Sequence, residues 1–287
     1  MTVDIPQGAT LARAATELQR AGAVSSARRF RMLAKLFGSA APIRAGEYHI
    51  PARLSASGVL KLLQTGRTLQ RLVTIPEGLP SVLVQQAVAR APELVGPAPL
   101  PPEGSVLPDS YSYSRGDTRR SVEDRMQRAM TRYLALAWAR RKPGTVVTTP
   151  RQAVILASIV EKETAKPAER REVAAVYANR LRRGMPLQAD PTIIYPITQG
   201  RPLGRRILAS EVHAKNAYNT YAMTGLPAGP ICNPGRASID AVLDPAPSRA
   251  LYFVADGTGG HVFADTLAQH NANVRKWYAI RHARGEM

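Results

Sequence analysis

Two spacings of apolar residues, one helical and one alternating, divide the chain into elements. Leu11, Ala14, Ala15 and Leu18 share a helical face behind Thr10, a capping residue, and predict a helix through Arg20. Phe30, Leu33, Ala34 and Phe37 predict a second from Ser26 to about Phe37. Val59, Leu60, Leu62 and Leu63 predict a third, started by Ser55 or Ser57 and ended by Gly66. Short alternating runs at Val3/Ile5, residues 46–50 and residues 72–75 read as strands between them. A helix is expected from Ser81 to about Arg90, then a Pro/Gly-rich loop or hinge over 91–104 rather than core. A basic helix over 120–141 carries Val122, Met126, Met130, Tyr133 and Leu134 on one stripe and stops at Lys142-Pro143-Gly144. Thr148 or Thr149 before Pro150 starts a helix running to Thr164, because proline suits the first helical turn. Another spans about 168–183, with Val173, Val176, Tyr177 and Leu181 inward. From Gly184 to Asp244 the pattern turns irregular. A strand at 251–255, a hairpin through 256–260, a return strand at 261–263 and a helix over about 266–284 close the chain. The fold class is α+β: a small α+β module over 1–75, then a larger mixed α+β domain over 76–287 with its core at about 146–287.

Composition adds two constraints. With 287 residues, 45% of them apolar and 21% charged, the chain can bury a sizeable core. Lys plus Arg number 39 against 21 Asp plus Glu, a net charge of +18. Such a surface favours a polyanion (nucleic acid, an anionic membrane face or an acidic cell-wall polymer), although a solvated basic face produces the same balance. A single cysteine, Cys232, excludes an internal disulfide and any multi-cysteine zinc site. No run of ~18 apolar residues is present, and the N-terminus lacks the features of a secretory signal.

The chemistry concentrates after residue 150. Ile155, Ile159 and Glu163 fall on one i, i+4, i+8 line, so Glu163 emerges on the buried face or at its rim. Glu161 lies ~200° away around the helix. A carboxyl on an apolar stripe loses solvation when charged, which raises its pKa and suits it to general-acid work. A helix-terminal glutamate paired with Arg170 or Arg171 satisfies the same pattern. Asp190, in Leu187-Gln188-Ala189-Asp190-Pro191-Thr192, is the second carboxylate, or a mere turn cap before proline. Tyr218-Asn219-Thr220-Tyr221 mixes aromatics, amides and hydroxyls as sugar-binding surfaces do, and a tyrosine-rich packing turn reads alike. His261 and His270 are expected to line a polar pocket. No HxxxH or HExxH spacing supports a metal site, Cys232 has no base beside it in sequence, and the glycine-rich 256–260 hairpin sits outside any strand-to-helix turn.

The string Ala157-Ser158-Ile159-Val160-Glu161-Lys162-Glu163-Thr164 resembles the signature of the YceG-like (MltG) endolytic murein transglycosylases. The likeness continues in order through Asn179-Arg180-Leu181, Leu187 to Thr192, Tyr218 to Tyr221, Gly225-Leu226-Pro227, Asn233-Pro234-Gly235, Tyr252 to Ala255, Gly260 to Phe263 and His270-Asn271. Upstream, Pro76-Glu77-Gly78, Glu103-Gly104 and Pro108-Asp109-Ser110-Tyr111 also fit, while Ser105-Val106-Leu107 stands where the family carries aromatics.

The resemblance implies a LysM-like glycan-binding module at 1–75 and a catalytic domain at 76–287. It places the catalytic acid at Glu163 and substrate contacts at Gln188, Asp190, Tyr218, Asn219, Tyr221, Asn233 and His261, with no metal and no cofactor. The implied partners are peptidoglycan glycan strands, peptidoglycan synthases and an anionic membrane surface, with no nucleic acid. The implied location is the inner membrane, single-pass, with the catalytic part in the periplasm. The family's transmembrane helix is not in this sequence, so a soluble fragment or a late start is expected. A non-catalytic murein-binding scaffold is the rival, and a nucleic-acid binder is the rival suggested by charge alone.

Overall fold

Thr10 ends the first turn of chain as expected: its hydroxyl accepts from the Arg13 amide and opens α1 (Leu11–Arg20). A computed structural model describes residues 1–6, 8–37, 41–66 and 68–285; the Phe37 side chain, expected on a buried face, lies outside the described residues. β1 (Thr2–Ile5) precedes α1, and α2 (Ala27–Phe37), β2 (Gly46–His49), α3 (Ala56–Thr65) and β3 (Arg71–Ile75) follow. Ser55, not Ser57, caps α3. Then come α4 (Ser81–Arg90), β4 (Asp109–Tyr113), α5 (Arg119–Ala139), α6 (Pro150–Glu163), a short 3-10 turn at Pro167–Glu169 and α7 (Arg170–Arg182). The chain closes with α8 (Asp190–Thr198), α9 (Ala209–Val212), α10 (Arg236–Leu243), β5 (Tyr252–Ala255), β6 (His261–Ala264) and α11 (Leu267–Ala283). β1 pairs antiparallel with β2 and β5 with β6, and β3 is bonded to β4. The class is α+β.

The chain divides into two compact units. One comprises residues 1–73 with 91–97 and 111–119, the other residues 74–90, 98–110 and 120–287. In the first, Val3, Ile5, Leu18, Phe30, Tyr48 and Leu63 form a closed core between the β1–β2 pair and α1–α3. In the second, α6 is the central rod. Every residue from 153 to 160 is buried, with α7, α8 and α10 packed around it. A single apolar stripe was expected on α6, but the helix is enclosed on all sides.

Three helices, α8, α9 and α10, occupy the stretch expected to be irregular. Pro191 and Pro196 interrupt the α8 pattern, and α10 has only eight residues. Helices this short do not hold alone; α10 persists because Ile239, Val242 and Leu243 are buried against α6 and α7. The 91–104 stretch, expected outside the core, buries Ala91 and Leu94. β4 carried no strand signal that stood apart from its turn residues.

One packing feature works against stability. Glu123 on α5 is 1% exposed, and neither carboxyl oxygen has a hydrogen-bond partner among the described residues. Burial pushes its pKa up to about 7, with Asp124 adding to the rise and Arg120 opposing it. Because the folded value exceeds the unfolded one, stability is complete below about pH 4.5 and drains as pH rises to about 7. Glu123→Met is therefore expected to raise stability by roughly 1–3 kcal/mol at pH 8 and by little at pH 5. Thermal melts at the two pH values check it; equal gains at both would contradict the burial argument.

Candidate active site

Thr149 rather than Thr148 caps α6, its hydroxyl accepting from the Gln152 amide at 3.2 Å, and Pro150 occupies the first turn. The other end of α6 is Glu163. Its Oε1 is closed off from solvent and lacks a hydrogen-bond partner among the described residues, although the residue itself borders a cavity of ≈ 330 Å³. Burial pushes the carboxyl up to about 7, and Asp190 pushes the same way. A hydrogen bond from the Tyr177 hydroxyl and the charge of Arg180 pull it down by less. The carbonyl end of a helix adds to the cost of a negative charge there.

The two arginines that competed for Glu163 in the sequence go elsewhere. Arg170 Nη2 lies 3.8 Å from Glu161 Oε1, and Arg171 Nη2 lies 3.0 Å from Asp244. Glu161 also accepts the Gly235 amide at 2.7 Å. Two residues along a helix turn a side chain by ~200°, so one glutamate of the pair finds partners and the other faces a void.

α7 supplies the back wall. Tyr177 is buried with its ring edge-on to Phe253 of β5, centroids 5.9 Å apart. One turn on, Arg180 donates through Nε to the Leu251 carbonyl at 2.7 Å and through Nη1 to the Leu187 carbonyl at 2.8 Å. Nη1 also reaches Gln188 Oε1 at 3.3 Å. Gln188 adopts a left-handed backbone, φ +53, and its amide donates to the Thr220 carbonyl. A non-glycine residue there is strained and is held by these partners.

Asp190 opens α8, and its Oδ1 accepts the Tyr221 hydroxyl at 2.6 Å. Behind them, the buried Thr192 and Thr220 hydroxyls bond at 2.8 Å, and Thr220 Oγ1 accepts the Ala189 amide. These bonds fix the Asp190 and Tyr221 segments to each other. His270 closes the wall, stacked on Tyr252 at 5.2 Å, its imidazole pushed below its usual value by burial and by Arg180.

Glu163, Gln188, Asp190 and Tyr221 thus meet at one cavity. The other four expected contacts lie elsewhere. Asn219 is fully buried and donates to the carbonyls of Glu211, Val212 and Ala214. Tyr218 leans on Tyr195, ring centroids 4.9 Å apart. Asn233 is fully buried; it accepts the Val106 amide and donates to the Leu79 carbonyl. His261 Nδ1 bonds Glu169 at 2.7 Å, and its ring packs on Phe253 at 5.1 Å. His270 is at the cavity as expected. Tyr177, Arg180 and Phe253 complete it without having been assigned a role; Tyr177 and Arg180 share an inward α7 face, which was the available signal.

Among the described residues no group of three or more His, Cys, Asp or Glu side chains is placed to hold a metal ion. The Cys232 thiol is buried, donates to the Ser158 carbonyl at 3.4 Å, and has its pKa raised by burial. One raised carboxyl in a polar trough, facing a fixed Asp–Tyr pair, is suited to proton transfer.

The model of the YceG-like family matches residues 3–276. A Streptococcus pneumoniae protein named endolytic murein transglycosylase is 31% identical over 96% of this chain and 58% of its own length. A Bacillus subtilis protein of the same name is 27% identical over 98% of this chain and 86% of its own. The chain therefore spans somewhat over half the length of the streptococcal relative. A crystal structure described as a putative yceG-like protein from Listeria monocytogenes superposes with a TM-score of 0.58 at 27% identity, covering 95% of this chain and 98% of that one.

Proposed function

The chain belongs to the YceG-like family, and on that premise we propose that it is a lytic murein transglycosylase with Glu163 as its one catalytic residue. The observation that carries the reading is the Glu163 carboxyl, half-buried at a polar cavity with its Oε1 closed off from solvent and its pKa pushed up to about 7 by burial.

Neutral Glu163 donates its proton to the oxygen bridging N-acetylmuramic acid to N-acetylglucosamine, and the muramyl C1–O bond breaks. Positive charge develops at C1. The muramyl 6-hydroxyl attacks that carbon and closes a 1,6-anhydro ring, while its proton passes to the Glu163 carboxylate. No water is consumed, and the acid is restored. Asp190, held by Tyr221, and Gln188 border the same cavity and serve the sugar hydroxyls and the developing charge. Tyr218, Asn219, Asn233 and His261 act from behind, by holding the segments that carry the lining.

An endolytic mode follows the names of the relatives. By family resemblance, residues 1–75 form a LysM-like glycan-holding module. The same resemblance supplies peptidoglycan synthases as partners and an anionic membrane surface, which the +18 charge favours. No helix among the described residues is long and apolar enough to cross a membrane.

Mass spectrometry of fragments released from purified glycan strands tests the reaction type. Ends lacking one water relative to hydrolysis products are expected, and reducing ends alone would end the proposal. The acid form must be present before reaction, so kcat/KM is expected to fall ~10-fold per pH unit above about 7. A limb centred near the ordinary glutamate value instead would show that burial does not tune Glu163.

A further inference from the structure

A second cavity, ≈ 520 Å³, adjoins the first. The two share supports. Lys162 and Glu163 are consecutive at the end of α6, Asp190 and Pro191 are consecutive at the start of α8, and in each pair one residue borders each cavity. The second cavity is lined mainly by apolar side chains, among them Leu83, Ile194 and Leu203, and carries three charged residues, Glu77, Lys162 and Arg201.

Its walls are set before any ligand arrives. The Tyr195 hydroxyl donates to the half-buried Glu103 at 3.2 Å, and its ring is braced by Tyr218. Gly200, at φ +80, is packed so closely on Pro80 that a Cβ would lie 2.7 Å from the Pro80 Cβ. The charged residues keep contact with solvent: Glu77 and Lys162 are exposed and Arg201 is half-buried. Lys162 and Arg201 suit a carboxylate, Glu77 suits an amine, and the apolar lining between them suits small aliphatic side chains.

We infer that this cavity is a binding site for the peptide stem of the murein strand, carried by the same muramyl residue whose bond faces Glu163. A stem offers alanine methyls, a terminal carboxylate and the amine of a diamino acid, the three chemistries the cavity presents. Reach is sufficient. Four or five extended residues span ~13–18 Å, against the ~10–12 Å width of the helix end between the cavities. The inference rests on the murein reading of the Glu163 cavity and adds a second substrate contact to it.

The test uses the full chain carrying Glu163→Gln, so that nothing is cleaved, titrated with the free pentapeptide L-Ala-γ-D-Glu-L-Lys-D-Ala-D-Ala and followed by methyl NMR. Saturating shifts are expected at Leu83, Ile194 and Leu203, with at least ~10-fold weaker binding once Arg201→Glu reverses the charge that meets the carboxylate. Leu203→Trp, which fills the cavity without altering charge, is expected to block binding as well. The thermal transition of each variant reports its folding. No shift at ~10 mM peptide, a concentration that saturates even a millimolar site, overturns the inference, as does binding that both folded variants leave intact. A second measurement separates the two readings, using the chain with Glu163 intact. Stem-bearing strands are expected to be cleaved faster than amidase-stripped strands, with the ratio collapsing in Arg201→Glu. Equal cleavage of both strands removes the stem site and leaves the lytic reading standing. Peptide binding without any 1,6-anhydro product removes the lytic reading and leaves the site.

Discussion

Glu163→Gln is expected to lower release of 1,6-anhydro ends from purified glycan strands by at least ~10²–10⁴-fold, the range for loss of a general acid, while strand binding persists. Glutamine keeps the volume of the side chain and cannot supply a proton to the bridging oxygen or take one from the 6-hydroxyl. Both halves of the reaction fail together, because one carboxyl serves both. The same change is expected to stabilise the fold above pH 7. There the native protein holds a charge at a site that burial disfavours, with Oε1 unpartnered among the described residues, and the amide removes that charge. A variant that melts higher and still binds, but releases nothing, is the signature of a group kept for chemistry at a cost in stability. Retained anhydro product from Glu163→Gln would remove Glu163 from the mechanism and leave the proton transfer to another group.

Arg180→Met is expected to cost roughly 3–5 kcal/mol, a large loss for one side chain. The guanidinium, on a residue 9% exposed, satisfies the Leu251, Pro186 and Leu187 carbonyls and the Gln188 side chain. Methionine fills similar space and leaves the buried Leu251 and Leu187 carbonyls without that donor. A second effect separates this from a plain packing loss. The positive charge of Arg180 lowers the pKa of Glu163, so its removal raises that pKa and moves the falling limb of activity to higher pH. Arg180→Lys keeps the charge and loses the fork; it is expected to destabilise while leaving the limb near its native position. Melting curves and pH profiles of the two variants decide the matter. An Arg180→Met protein with native stability and an unmoved profile would mean that the guanidinium holds nothing together.

Much of the frame is legible in the residues because it depends on local chemistry. Thr10, Ser55 and Thr149 cap helices with their own hydroxyls, and the 256–260 turn closes the β5–β6 pair. The i, i+4, i+8 line through Ile155 and Ile159 put Glu163 on a buried face, but α6 is enclosed on all sides and the Glu161 side chain is only 6% exposed, so the line alone did not single Glu163 out. Gln188, Asp190 and Tyr221 were named from composition and resemblance, and they share the cavity with it.

Long-range contacts settled the remainder. Sequence spacing offered Arg170 or Arg171 as a partner for Glu163; the fold instead sets Arg170 and the Gly235 amide on Glu161 and Arg171 on Asp244, and leaves Glu163 facing the void. The amides of Asn219 and Asn233 were as apt for sugars as for backbone, and only the loops folded around them turned them inward to carbonyls and amides. The short helices α8 and α10, one interrupted by proline, lack the length to form unaided and exist because α6 gives them a surface to bury. Backbone periodicity thus placed the helices and, on amphipathic ones such as α1, the inward face. What each inward side chain meets depends on segments tens of residues away, and that is where the raised carboxyl and its cavity were decided.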